Sequence, residues 1–171
     1  MNHLDFLDLI APFKDKVYRL AKRLLISREE AEDALQEVIV KLWNKNESLS
    51  DVNNVEAFAM SMTKNYCLDQ LKSKRAGNLQ IAHTNYADRS TGLQQQFEDN
   101  DSLRWVEKII NELPEQQKII VQLRDIEQYE FSAIADLLDM NETAVRVALS
   151  RARKSIRESL IKTHQYGIEQ H

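Results

Sequence analysis

The apolar residues of this chain recur with the 3.6-residue period of an α-helix along almost its whole length, and very little interrupts them. Only three glycines and two prolines occur in 171 residues. Runs of alternating β-branched residues, which are typical of strands, are nearly absent. The pattern therefore predicts an all-α fold. The candidate helices cover residues 4–25, 28–44, 54–76, 101–111, 114–127, 130–138 and 142–161.

One polar segment divides this helical pattern into two parts. Residues 77–100, GNLQIAHTNYADRSTGLQQQFEDN, lack apolar periodicity and are rich in Asn, Gln, Asp, Ser and Gly. We interpret them as a flexible linker between two small helical domains, residues 1–76 and 101–171. The alternative is a long polar loop inside one domain, although structureless loops of that length are unusual in compact folds.

Several classes of site have no matching residues. Cys67 is the only cysteine, which excludes an internal disulfide and a cysteine-cluster metal site. The four histidines are scattered without metal-ligand spacing, and no glycine-rich phosphate loop occurs. We therefore expect no catalytic residues, no metal and no cofactor.

The hydrophobic pattern also bears on location. No window of about 18 apolar residues exists. The N-terminus, MNHLDFLDLI, has acidic residues where a secretory signal would carry basic ones. We expect no membrane insertion and a cytoplasmic location.

The last predicted helix concentrates positive charge in a chain whose formal net charge is −4. On a helical wheel an apolar stripe carries Val145, Leu149, Ala152, Ile156 and Leu160. The flank beside that stripe carries Arg146, Ser150, Arg153 and Arg157. One side of this helix is therefore expected to pack, and the other to present cations.

The residues before the basic helix predict a helix-turn-helix. A short helix directs Phe131, Ile134, Ala135 and Leu138 inward, and the tight turn DMN ends in Asn141, which can cap the next helix. The second helix of such a motif fits the major groove of DNA, where Arg reaches guanine edges and other cations neutralise phosphates. The alternative is a solvated basic face that only complements the helix dipole.

Residues 113–160, which begin LPEQQKIIVQLRDIEQYEFSAIADLL and end AVRVALSRARKSIRESL, resemble the C-terminal promoter-binding domain of the sigma-70 family. The likeness is to its small extracytoplasmic-function (ECF) branch, and LSRAR is the most specific piece. In the N-terminal half, SREEAEDALQEVIVKLW looks like the polymerase-binding helix of that family. VEAFAMSMTKNYCLDQLKSKR looks like its promoter-opening helix.

The resemblance implies a binding protein that directs transcription initiation, with core RNA polymerase, promoter DNA and an anti-sigma factor as partners. It assigns core polymerase binding to Asp33, Gln36, Glu37 and Val40. It assigns the minus-ten element to Ser61, Lys64, Asn65 and Lys72. It assigns the minus-thirty-five element to Thr143, Arg146, Val147, Ser150, Arg151, Arg153 and Arg157. The alternative for the acidic face at Asp33 and Glu37 is that it is only solvated and binds no partner, which periodicity alone also allows.

The chain departs from the family pattern at four positions. Asp139 stands in the turn where the family often has Gly, and Asp tolerates a left-handed conformation at modest cost. Ala144 replaces a usual Thr, Ala148 replaces a commonly basic residue, and Phe58 replaces a tryptophan. The motif itself is retained in spite of these changes.

Local chemistry also predicts how the second helix begins and which residues fill the core. Ser27 and Glu30 form an S-x-x-E pattern, which predicts a capping box at the start of the helix over 28–44. Trp43 and Cys67 are expected to fill the core. The alternative to the sigma-factor interpretation is an autonomous helix-turn-helix regulator whose N-terminal half senses a signal or dimerises.

Overall fold

A computed structural model describes the backbone of residues 1–80 and 101–169 and the side chains of residues 1–77 and 102–163. Residues 81–100 of the expected linker lie outside the described residues. Every regular element in the described part of the chain is helical, which confirms the all-α expectation. The α-helices are α1 (His3–Ile10), α2 (Lys14–Leu25), α3 (Arg28–Asn44), α4 (Val55–Gln80), α5 (Asp101–Asn111), α6 (Glu115–Val121), α7 (Phe131–Leu138) and α8 (Glu142–Glu169).

The single helix expected over residues 4–25 is wrong, because the chain forms two helices there. α1 ends at Ile10 and α2 begins at Lys14. Pro12 lies between them; it has no N–H to donate, and its ring would clash with the carbonyl four residues earlier in a continuous helix. Ile10 and Phe13 flank this break and are both buried, which fixes α1 against α2.

Three other helix boundaries differ from the expected ones by more than one residue. α4 continues beyond residue 76 to Gln80, and α8 continues beyond residue 161 to Glu169. The helix expected over 114–127 changes form, because α6 ends at Val121 and a π-helical turn covers Gln122–Ile126. The Glu127 N–H closes that turn by donating to the Gln122 carbonyl at 3.0 Å.

The capping box at the start of α3 is only half formed. The Ser27 hydroxyl accepts a hydrogen bond from the Glu30 N–H at 3.3 Å, as expected. The return contact is absent because the Ser27 N–H donates instead to the Leu25 carbonyl at 2.7 Å, which closes a γ-turn at Ile26 (φ 68°). The Glu30 carboxylate forms an ion pair with Lys74 on α4.

The first domain is built around α2, which packs against α3 and α4. The buried residues of α3 are Ala31, Ala34, Val38 and Leu42, whereas Leu35 and Ile39 are only partly buried. Trp43 meets the buried Phe6 ring edge-on, with centroids 5.0 Å apart, as expected for a core aromatic. Cys67 is fully buried, and this burial raises the pKa of its thiol to about 12.

The second domain packs α6 and α7 against the N-terminal half of α8. Val145, Leu149 and Ala152 are buried as expected, and Ala148 joins them. Leu160 follows the same period but is 38% exposed, so the expectation that this end of the stripe packs was wrong. The 28-residue α8 is roughly 42 Å long and outruns the small core on which it packs.

The turn of the helix-turn-helix has the predicted local chemistry. Asp139 adopts the left-handed conformation, with φ 53° and ψ 50°, and the Met140 N–H donates to the Ala135 carbonyl at 2.9 Å. The Asn141 side chain then accepts a hydrogen bond from the Ala144 N–H at 2.7 Å and caps α8. Sequence-local interactions therefore fix the angle between α7 and α8.

We expect Asp139→Gly to stabilise the protein by about 0.5–1 kcal/mol. The left-handed conformation costs an L-residue roughly 1–2 kcal/mol, and the larger entropy of unfolded glycine offsets part of that gain. The measurement is the free energy of unfolding in urea, with Asp139→Ala as the control that should destabilise. A lower stability for the glycine variant would contradict a conformational cost at this position.

The two domains pack directly against each other through α2. Arg23 is only 7% exposed. Its guanidinium donates to the Glu107 carboxylate at 2.7 and 3.2 Å, to the Asn111 side chain at 3.0 Å and to the Gln122 side chain at 2.9 Å. Arg19 forms a bidentate ion pair with Glu127, whose side chain is 2% exposed. Polar side chains therefore supply much of this contact.

Candidate nucleic-acid and polymerase interfaces

An acidic and polar face covers the side of α3 that points away from the core. Asp33, Gln36, Glu37 and Val40 are all exposed, and the Val40 side chain is among the exposed large hydrophobic groups at 53%. The buried residues Ala34 and Val38 fix this orientation from the opposite side. The structure thus brings all four predicted residues together as one accessible surface with an apolar side chain beside its acids.

The acidic face continues toward α4. The Glu37 carboxylate lies 3.9 Å from the Lys41 ammonium, which in turn lies over the Tyr66 ring at 5.4 Å from its centroid. Burial, together with the carboxylates of Glu37 and Asp33, raises the pKa of Tyr66. The field of these carboxylates therefore extends to the neighbouring helix.

The predicted polar strip of α4 lies opposite that helix's buried residues Ala59, Thr63 and Cys67. Asn65 and Lys72 are exposed, while Ser61 and Lys64 are half-buried. The four strip residues share one face, spaced as the helical period requires.

Lys64 has a partner that the sequence did not suggest. Its ammonium donates to the carbonyl of Leu137, in the last turn of α7, at 3.2 Å. The first helix of the helix-turn-helix therefore covers one end of the α4 strip. In this arrangement of the domains, one of the three Lys64 donors is used within the protein.

The seven residues predicted on α8 are all exposed, namely Thr143, Arg146, Val147, Ser150, Arg151, Arg153 and Arg157. Six of them form one continuous face, and Arg151 lies at its edge. Lys154 is also exposed and belongs to the same face by its spacing from Ser150 and Arg157. Ala148 is buried, so this position packs instead of offering a contact.

Neighbouring side chains hold two of the arginines. The Arg146 guanidinium lies over the Phe131 ring, 4.1 Å from its centroid. Arg124 lies over the same ring at 4.2 Å and donates to the Tyr129 carbonyl at 2.8 Å. Sequence reasoning treated Arg124 only as part of a motif, because its approach to the basic helix depends on the fold.

Arg153 is held by a carboxylate from the π-helical turn. Its Nη2 lies 2.5 Å from Asp125 Oδ1, and its Nε lies 3.2 Å from Asp125 Oδ2. This hydrogen bonding raises the pKa of Arg153, which therefore stays charged. The basic helix thus presents arginines in defined positions.

The described ranges, 1–80 and 101–169, show neither a candidate metal site nor a membrane span. They contain no group of three or more His, Cys, Asp or Glu side chains placed to hold a metal ion. None of the helices seen there combines the length and the apolar character needed to cross a bilayer.

Two family models match the chain, one in each domain. Residues 9–77 match sigma-70 region 2, and residues 103–156 match sigma-70 region 4. The first match contains α2, α3 and nearly all of α4. The second contains the helix-turn-helix and the cationic part of α8. The acidic face, the α4 strip and the α8 face as far as Lys154 therefore lie inside matched regions, and Arg157 lies one residue beyond the second match.

Relatives and solved structures agree with these matches. The chain is 21% identical to the ECF RNA polymerase sigma factor SigW of Bacillus subtilis, over 91% of this chain and 88% of that protein. It is 26% identical to the RNA polymerase sigma factor SigV of the same organism, over 90% and 89% of the two chains.

The sigma factor RpoE of Bartonella quintana, solved in complex with the anti-sigma factor NepR, shares the fold. Its TM-score is 0.75 at 22% sequence identity, over 91% of this chain and 96% of RpoE. With matched regions in both domains and relatives along nearly the full length, the chain belongs to the sigma-70 family, as an ECF sigma factor that acts in transcription initiation.

Proposed function

We propose that this protein is a dissociable subunit of bacterial RNA polymerase that reads promoters with both of its domains. The observation that carries the proposal is the exposed cationic face of α8, on which Arg146 and Arg153 are held in place. Ordered guanidinium groups on the second helix of a helix-turn-helix suit readout of base edges in the major groove. We assign the minus-thirty-five element to this face.

The first domain has two tasks in this proposal. The acidic face of α3 binds core RNA polymerase, and the strip of α4 contacts the minus-ten element as it opens. Asn65 is suited to an unpaired base, because an exposed amide offers both donors and acceptors. The net charge of −4 disfavours binding of the free protein to bare DNA and favours a basic partner.

The two promoter elements require the domains to separate. Their names place them about 25 base pairs apart, roughly 85 Å along B-form DNA at 3.4 Å per base pair. The direct packing of Arg23 against Glu107 is incompatible with that spacing. The packed arrangement of the two domains is therefore assigned to the free protein, and the polymerase-bound form has its domains apart.

We further propose an anti-sigma factor as a partner, because RpoE, which shares this fold, was solved in complex with one. The protein then works in the cytoplasm, where polymerase and promoter meet. It acts as a binding subunit, and the catalysis belongs to the polymerase.

Run-off transcription tests this function directly. Core RNA polymerase is supplied with the purified chain and a library of promoter fragments, and the selected transcripts are sequenced. We expect transcription that depends on the chain and on two separated elements. Strong specific binding to DNA by the free protein, without stimulation of core polymerase, would instead favour an autonomous regulator.

Reversing the charge at Glu37 tests the acidic face. We expect Glu37→Lys to weaken association with core polymerase by roughly tenfold, because it places a cation within a surface that meets a basic partner. The measurement is a titration of core enzyme with labelled protein. Glu32→Lys makes the same charge change on α3 outside the face and should bind normally. Equal affinities for the two variants would remove Glu37 from the interface.

A further inference from the structure

The π-helical turn Gln122–Ile126 gives the second domain a feature that the sequence pattern did not reveal. Leu123 is fully buried in the core, and Gln122 is 1% exposed where its side chain accepts a hydrogen bond from Arg23. Asp125 follows them and turns toward α8 instead. π-helical turns insert an extra residue into a helix and are frequent at functional sites. Here the turn delivers a carboxylate to the edge of a cationic surface.

The Asp125 carboxylate occupies one edge of the Arg153 guanidinium. Its two oxygens accept hydrogen bonds from Nη2 and Nε, at 2.5 and 3.2 Å. An arginine side chain has five N–H donors, so three remain, two on Nη1 and one on Nη2. Two adjacent donors are what a bidentate contact to guanine O6 and N7 requires. The free edge of Arg153 is thus available for base readout.

The ion pair with Asp125 also limits the contacts that Arg153 can make with phosphate groups. The Arg153 side chain is 52% exposed and would otherwise be free to move among phosphates. A fixed carboxylate beside it cancels much of its charge as seen from the DNA backbone and repels phosphate groups. Asp125 therefore weakens attraction that carries no sequence information, and it leaves the directional contact in place.

We propose that Asp125 is a positioning residue that sets promoter specificity, because it directs the free edge of Arg153 toward one base pair of the minus-thirty-five element. The inference rests on the proposed function, since it needs α8 in the major groove. The competing explanation is that Asp125 only fastens the π-helical turn to α8. An ion pair this exposed contributes little to stability, which disfavours that explanation.

The test uses the polymerase holoenzyme and a promoter library randomised across the minus-thirty-five element. Four variants are compared with the original chain: Asp125→Asn, Arg153→Ala, the double variant and Glu130→Gln. Asp125→Asn keeps the shape of the side chain but can no longer accept both hydrogen bonds. Glu130→Gln removes the same charge from the same domain, at a side chain that is 84% exposed.

We expect the base preference at one position to fall roughly fivefold or more in Asp125→Asn. This should be the same position at which Arg153→Ala loses its preference. Transcription from mismatched promoters should rise with Asp125→Asn, and the double variant should lose no more preference than Arg153→Ala. Glu130→Gln should keep the original preferences. Thermal unfolding of each free protein shows whether a change in preference follows from lost stability.

Two results would overturn the inference alone. The first is that Arg153→Ala loses a base preference that Asp125→Asn keeps. The second is that Asp125→Asn loses base preference evenly at all positions, in proportion to a fall in its melting temperature. If the chain does not stimulate core polymerase at all, or Arg153→Ala changes no preference, the assignment of α8 to the minus-thirty-five element fails and Asp125 loses its role with it.

Discussion

Replacing Arg23 with alanine should open the free protein by releasing the second domain from α2. Arg23 donates four hydrogen bonds to Glu107, Asn111 and Gln122. Glu107 is 57% exposed at its side chain and can be rehydrated after the change. Gln122 is 1% exposed and would lose a charged donor in a buried position. We therefore expect the domain contact to weaken by about 2 kcal/mol or more.

Energy transfer between two dyes measures this opening. Cysteines introduced at the exposed positions Glu47 and Glu158 place one dye in each domain. The natural Cys67 should label slowly, because it is buried and its thiol pKa is raised to about 12. Transfer should fall in Arg23→Ala. Arg28→Ala is the matched control, since Arg28 pairs within its own helix with Glu32.

The consequence for function concerns Lys64, whose ammonium is held by the Leu137 carbonyl while the domains are packed. An opened variant frees this Lys64 donor before polymerase is bound. We expect Arg23→Ala to associate with core polymerase faster than the original chain, because less free energy is needed for separation. Unchanged transfer, together with an unchanged association rate, would show that Arg23 does not hold the domains together.

Replacing Arg153 with alanine should weaken use of a promoter that depends on its minus-thirty-five element by about 1–3 kcal/mol if the side chain reads a base. The effect should be smaller if Arg153 touches only phosphate. Arg153→Lys separates these cases, because lysine keeps the charge but lacks the planar pair of donors. The measurement is the rate of initiation by holoenzyme across a range of promoter concentrations.

Lys162→Ala is the control for Arg153. Lys162 is exposed on the same helix, beyond the cationic face, and its removal subtracts the same charge. We expect Lys162→Ala to initiate at the original rate and Arg153→Lys to behave like Arg153→Ala on the preferred promoter. Undiminished initiation by Arg153→Ala would contradict any role of Arg153 at the minus-thirty-five element.

Much of the candidate site could be predicted from the sequence, because it depends on local rules. Helical period alone separates the exposed Arg146 and Ser150 from the buried Val145 and Leu149. The same period exposes the acidic face around Glu37. Cap and turn chemistry act over a few residues, so the roles of Asn141 and Asp139 were also predictable.

The local rules failed where a competing local interaction or a change of helix type intervened. Pro12 ends a helix that apolar periodicity alone extends to residue 25. The γ-turn at Ile26 takes the Ser27 N–H that a full capping box needs. Leu160 follows the apolar period but lies beyond the packed part of α8, so period alone could not bury it.

The sequence by itself determined the all-α class, the helix-turn-helix and most of the surfaces that the helices expose, because those follow from spacings of a few residues. Only the tertiary structure decided which groups those surfaces meet. The hydrogen-bonded partners are far apart in sequence: Arg153 and Asp125 are separated by 28 residues, Lys64 and Leu137 by 73, and Arg23 and Gln122 by 99. The position of a residue along a helix fixes the direction in which its side chain leaves the helix axis. The partner of that side chain depends on how distant helices pack.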